Sequence, residues 1–74
     1  MNRRHAAKIA QLTATVRTLA ARQAPITVLD INGDRAHGYV TDSTDAGFVV
    51  RSEDGLSTEA FEFALLESVG TYNA

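Results

Sequence analysis

The dipeptide Asn32-Gly33 stands between two β-rich runs, Ile26–Ile31 and Arg35–Asp42, and constrains the fold more than any other feature of the chain. Asparagine followed by glycine is the pair best able to take the positive φ angles of a type I′ turn, so the two runs are expected to form a tight hairpin. Three further runs follow: Phe48–Ser52, Leu56–Phe63, and a short one holding Leu65, Leu66 and Val69. A loop over residues 42–47, the turn Glu53-Asp54-Gly55 and a tight turn at Ala64 separate them. In the second run Ala36, Gly38 and Val40 share the inward parity, and Arg35, His37, Tyr39 and Thr41 the outward one. A glycine in mid-strand marks a bend or bulge, so Gly38 is expected to curl that strand. Phe61 and Phe63 fall on one side of the fourth run, and Phe48 is expected in the core. The pattern is that of a mainly β chain with one N-terminal helix: a small, strongly bent, five-stranded antiparallel barrel, closed or nearly so.

The helix is read from Asn2 to Gln23, where Ile9, Leu12, Val16 and Leu19 recur at the spacing of one narrow face. Asn2 is placed to cap its start, and Pro25 ends it by disfavouring helix at Ala24. Residues 1–24 thus read as a basic helix and 25–74 as the barrel, one domain overall. Thr13, Thr15 and Thr18 lower its propensity, so packing of the apolar seam is expected to order it.

Charge is divided along the chain. Arg3, Arg4, Lys8, Arg17 and Arg22 precede residue 24 without one acid, whereas Arg35 and Arg51 face all nine acids in the remainder. A +5 helix on a −7 body is the signature of a partner-binding protein. On a helical projection Arg4, Lys8 and Arg22 flank one side of the seam, Arg3 and Arg17 the other. The plain reading of the helix is a barrel cap with solvated cations; the sharper one is a surface for nucleic-acid phosphates. Its apolar face lacks the aromatic anchors of a membrane-surface helix. The acid-free first 25 residues also have a transit-peptide composition, which the helix explains without targeting.

Seventy-four residues form a core expected to supply only about 3–5 kcal/mol unaided. Without cysteine there is no disulfide or thiolate zinc site to staple it, which leaves oligomerisation and fits a reducing, cytoplasmic setting. No apolar run approaches the roughly 18 residues of a membrane span.

Helix, strand, Asn32-Gly33 turn, a strand bent at Gly38, a loop with Asp42, then Phe48-Val-Val and the closing segment Phe61–Val69 together resemble the Sm-like family, including bacterial Hfq-type proteins. The resemblance implies an SH3-like barrel that assembles into hexameric or heptameric rings by pairing its fourth and fifth strands, and that binds short single-stranded RNA. It also implies base contacts from the loop after the second strand, which here offers Asp42, Ser43 and Thr44, with Tyr39 as the nearest outward aromatic for stacking. Two departures stand out. Where Hfq-type proteins carry a Lys-His pair before the last strand, this chain reads Phe63-Ala64, and the Arg-Gly step of eukaryotic and archaeal members is absent too.

Other constellations carry little. Asp42, Thr44, Gly47 and Glu53 take positions of a calcium-loop spacing, but Thr44 and Ala46 stand where carboxylates or amides belong. His5 and His37 lie far apart without cysteine, and Ser43 with His37 and nearby aspartates lacks a nucleophile elbow. No metal, cofactor or catalytic residue is expected. Two functions remain. One is a non-catalytic, RNA-binding ring protein, with phosphate contacts from Arg3, Arg4, Lys8, Arg17 and Arg22 and base contacts from Tyr39, Asp42, Ser43 and Thr44. The other is an acidic interaction module that docks on a basic protein, as certain Sm-fold inhibitors of the terminator Rho act through protein contact.

Overall fold

In the computed structural model, which describes residues 3–71, a helix α1 (Arg3–Ala21) is followed by β1 (Ile26–Asp30), β2 (Arg35–Ser43), β3 (Gly47–Ser52), β4 (Thr58–Glu62), a 3₁₀ turn (Phe63–Leu65) and β5 (Leu66–Thr71). The expected N-cap Asn2 lies outside the described residues. All strands are antiparallel, in the order β4-β3-β2-β1-β5. The sheet is strongly bent without closing: β4 and β5 are its two edges, so the barrel expected as closed or nearly so is open between them. No helix among the described residues is long and apolar enough to cross a membrane.

The core follows the alternation of the sequence. Ile26 and Val28 of β1, Phe48 and Val50 of β3, Phe61, Phe63 and Leu66 are buried together with Val16 of the helix. Ile9, Leu12 and Leu19 pack around the same cluster, so the helical seam caps the bent sheet and contributes to its core. The three phenylalanines form one group: the Phe48 ring lies 5.6 Å from Phe61 and 5.2 Å from Phe63. Two of the helical threonines meet their propensity deficit with back-bonds, Thr13 to the Ile9 carbonyl at 2.7 Å and Thr15 to that of Gln11 at 3.0 Å.

The helix ends in a Schellman motif. The Ala24 N–H reaches the Leu19 carbonyl at 3.0 Å and the Gln23 N–H that of Ala20 at 3.1 Å. This places Gln23 in the left-handed region at φ 54°, where a side chain is strained. Gln23→Gly is therefore expected to stabilise the protein by about 0.5–1 kcal/mol, read as a higher urea midpoint at unchanged m-value. A lower midpoint would show that the Gln23 side chain holds more than the strain removes.

The first hairpin differs from the expected type I′ turn. Gly33 donates to the Asp30 carbonyl at 3.1 Å, Asp30 N–H to that of Asp34 at 2.9 Å, and Gly33 alone takes positive φ, at 87°. This is a type I turn followed by a left-handed glycine. Asp30 decides it: its buried carboxylate accepts from the N–H groups of Asn32 and Asp34 at 2.9 and 3.0 Å, an aspartate bracket that fixes the turn at its first residue.

A second difference concerns the bend in β2. The register shifts between Val40 and Asp42, leaving Thr41 as the extra residue, while Gly38 pairs regularly with Ile26 and Ser52. Gly38 has another constraint: a Cβ there would sit 1.9 Å from the Arg51 carbonyl oxygen. It is needed for close approach of β3, and the bulge is carried three residues later.

The β3–β4 turn is also locked. Asp54 accepts from the Ser52 hydroxyl and the Leu56 N–H, and these bonds hold its carboxyl below the usual range. Arg51 closes the other side on the Gly55 carbonyl at 3.2 Å. Leu56, expected to begin the fourth strand, stands instead in this turn with 86% of its surface exposed.

Candidate functional site

The bulge at Thr41 determines what the outer face of the sheet presents. Asp42 stands three positions after Tyr39, an odd offset that would put them on opposite faces of a regular strand. With Thr41 extruded, Tyr39 lies opposite Arg51 and Asp42 opposite Val49, so both side chains share one face in neighbouring rows. Thr58 and Ala60 of β4 continue those two rows.

Asp42, Ser43 and Thr44 line an open cleft of about 220 Å³ with Gly47, Val49 and Ala60. Its walls are mainly apolar, and its one charged lining residue is acidic. The polar side chains are already engaged in shaping the loop: Asp42 accepts from the Ser43 N–H at 2.9 Å, and Thr44 Oγ1 accepts from the N–H groups of Ala46 and Gly47 at 3.2 Å each. The loop expected over residues 42–47 is shorter than its sequence suggests, because β2 runs on through Ser43 and β3 begins at Gly47. The calcium-loop spacing is accordingly drawn out along a strand, and among the described residues no group of three or more His, Asp or Glu is placed to hold a metal ion.

A second contact ties this loop to the end of the sheet capped by the helix. The Phe63 N–H donates to the Ala46 carbonyl at 3.0 Å, and the Arg17 guanidinium lies 5.4 Å over the Phe63 ring. The place at which the Sm-like resemblance implies a Lys-His pair is thus filled by a buried aromatic with an exposed helix cation across it. Lys8 marks the other flank of the helix, 3.5 Å from Glu67 of β5. Arg4, one turn before Lys8, and Arg22, still bonded to the Thr18 carbonyl at 3.2 Å, project from that same flank. Arg3 and Arg17 lie on the opposite one.

The nine candidate residues therefore divide into three sets. Tyr39, Asp42, Ser43 and Thr44 gather at the cleft and the adjoining sheet face. Lys8 lies beside β5 with Arg4 and Arg22 on the same helix flank, and Arg17 joins the 3₁₀ turn while Arg3 remains exposed at the start of the helix. Sequence reasoning passed over Val49 and Ala60 as part of the cleft. The signal was present in Phe48-Val49-Val50: three consecutive apolar residues in a strand must turn one outward.

Comparison with solved structures brings this fold against a 1.55 Å crystal structure of the pleiotropic translational regulator Hfq. The TM-score is 0.64 over 81% of this chain and 88% of that one, with 13% sequence identity. No protein-family model matches the chain, and no curated protein sequence matches it. At that identity the likeness is one of fold: an N-terminal helix and five bent antiparallel strands in the Sm-like arrangement.

Proposed function

We propose that this Sm-like chain is a non-catalytic subunit of a cytoplasmic homo-oligomeric ring that binds single-stranded RNA and serves RNA-linked regulation. The observation that carries the reading is the pair of free strand edges. β4 and β5 stand at opposite ends of the strand order, each with one row of backbone N–H and C=O groups unmatched within the sheet. Two different edges on one subunit call for head-to-tail pairing, and a head-to-tail interface that closes generates a ring. The same contact answers the small core. The likeness to a translational regulator and the exposed helix cations, Arg3 and Arg17 foremost, support RNA as the ligand.

Two measurements test this in sequence. Light scattering behind a sizing column should give a mass of several subunits; a monomer would remove the ring. A titration with a mixed-sequence single-stranded RNA oligonucleotide should then lose affinity with salt, the logarithmic slope falling by about 0.7 for each phosphate contact. An Arg3→Ala, Arg17→Ala variant should bind at least about tenfold more weakly with a shallower slope, at unchanged mass. RNA binding that is absent or insensitive to salt overturns the RNA reading. The acidic docking module would then be favoured by a specific observation: the cleft offers apolar walls and a carboxylate but no cation. On that reading reversing Glu53 or Glu59 abolishes capture of a basic protein partner while the fold stays intact, and reversing Asp54 also does so but removes the lock of the β3–β4 turn.

A further inference from the structure

The two free edges of the sheet differ in charge. β4 carries Glu59 and Glu62, both exposed, and follows the turn that holds Glu53 and Asp54. β5 carries one acid, Glu67, which Lys8 meets at 3.5 Å. The helix runs alongside β5 in the same direction. Lys8 fixes its early part beside Glu67, and the Thr71 hydroxyl, bonded to the Pro25 carbonyl at 2.9 Å, fixes the end of β5 beside the chain just past the helix. Arg4, Lys8 and Arg22 therefore form a row of cations along this edge. One edge of the subunit is acidic and the other basic.

We propose that Arg4 and Arg22 join subunits, by pairing with the β4 carboxylates of a second copy of this chain. Antiparallel pairing of β4 with the neighbour's β5 turns Glu62 toward the Arg4–Lys8 end of the helix and Glu59 toward the Arg22 end, with the two carboxylates on opposite faces of β4 and the arginine side chains reaching in to them. The proposal rests on the ring reading and deepens it by dividing the helix cations according to role. The flank beside β5 sets which edges meet, and Arg3 and Arg17 on the other flank stay open to ligand. Charge complementarity of this kind selects the partner edge, because pairing β4 with β4 or β5 with β5 would leave like charges opposed. It also places an electrostatic component on assembly, screened over about 8–10 Å at ordinary ionic strength.

The experiment uses the full chain and three charge variants, with mass followed by light scattering over a concentration series. Arg4→Glu with Arg22→Glu makes both edges acidic, and Glu59→Arg with Glu62→Arg makes both basic. Each double variant is expected to raise the concentration at half-assembly at least about tenfold at 0.15 M salt. The quadruple variant, with the charges exchanged, should return to within about threefold of the unmodified chain. It holds every change made in the two doubles, so its recovery excludes misfolding as the cause. Doubles that assemble like the unmodified chain, or a quadruple no better than the doubles, overturn the proposal while the ring stands. An unmodified chain that is monomeric at low and high salt overturns both.

Discussion

A Gly38→Ala variant is expected to be mostly unfolded at room temperature, the largest effect of any single methyl group in this chain. The added Cβ would lie 1.9 Å from the Arg51 carbonyl oxygen and 2.7 Å from its carbon, both backbone atoms of the neighbouring strand. Side chains can rotate away from such an intrusion; a carbonyl held in a ladder moves only if the ladder moves. Overpacking of this kind costs about 3 kcal/mol or more, comparable to the roughly 3–5 kcal/mol that a core this small supplies. Loss of the cooperative transition in urea, followed by circular dichroism, is the expected result. A midpoint within about 0.3 M of the unmodified protein would show that β2 and β3 separate locally at little cost. Gly33→Ala offers the contrast. It meets no atom within 4 Å but keeps its positive φ, so its penalty is confined to about 1–2 kcal/mol of backbone strain.

Phe48→Ala is expected to remove about 3–5 kcal/mol, again near the limit of the fold. Phe48 is 3% exposed and its ring is packed between Phe61 and Phe63, so truncation leaves a cavity bordered by two rings on different segments. Neither ring can fill the space without moving its backbone. Phe61 is held in β4 opposite Phe48, and the Phe63 N–H is bonded to the Ala46 carbonyl. Phe48→Leu keeps most of the volume and should cost clearly less, so the two variants separate cavity formation from loss of aromatic contact. Equal losses for both would place the stabilisation in ring stacking. Phe48 also backs the cleft, so the alanine variant should alter any ligand bound beside Asp42.

Most of this architecture is legible in the order of residues. The period of Ile9, Leu12, Val16 and Leu19 locates the helix seam, and the parity of Ala36, Gly38 and Val40 gives the buried side of β2; both agree with the observed core. What was misread depends on atoms distant in sequence or on the choice between near-equivalent local geometries. Asn32-Gly33 suits a type I′ turn, but Asp30 competes for the same N–H groups through its carboxylate and selects a type I turn. Gly38 signals that something approaches closely, without saying whether that is a bend or the carbonyl of Arg51. Openness of the sheet could not be read from strand pattern, because it depends on whether β4 and β5 meet each other. The cleft was half legible: Asp42, Ser43 and Thr44 are contiguous in sequence, whereas Val49 and Ala60 join them only through the strand register.

Thr41 illustrates a kind of information that composition does not carry. Its side chain is exposed, and none of the outward rows needs what it offers. Its place is outside the ladder: the bulge absorbs it, and the pairs on either side of it, Val40 with Val50 and Asp42 with Val49, stay in phase. Removing it would leave Tyr39 and Asp42 two positions apart in a regular strand, on the same face that they already share. At this position the gene is free in spelling and also in length. Codon 41 tolerates substitution, and its in-frame loss would straighten β2 without exchanging the faces of the residues on either side, whereas the same loss in a regular strand would exchange them.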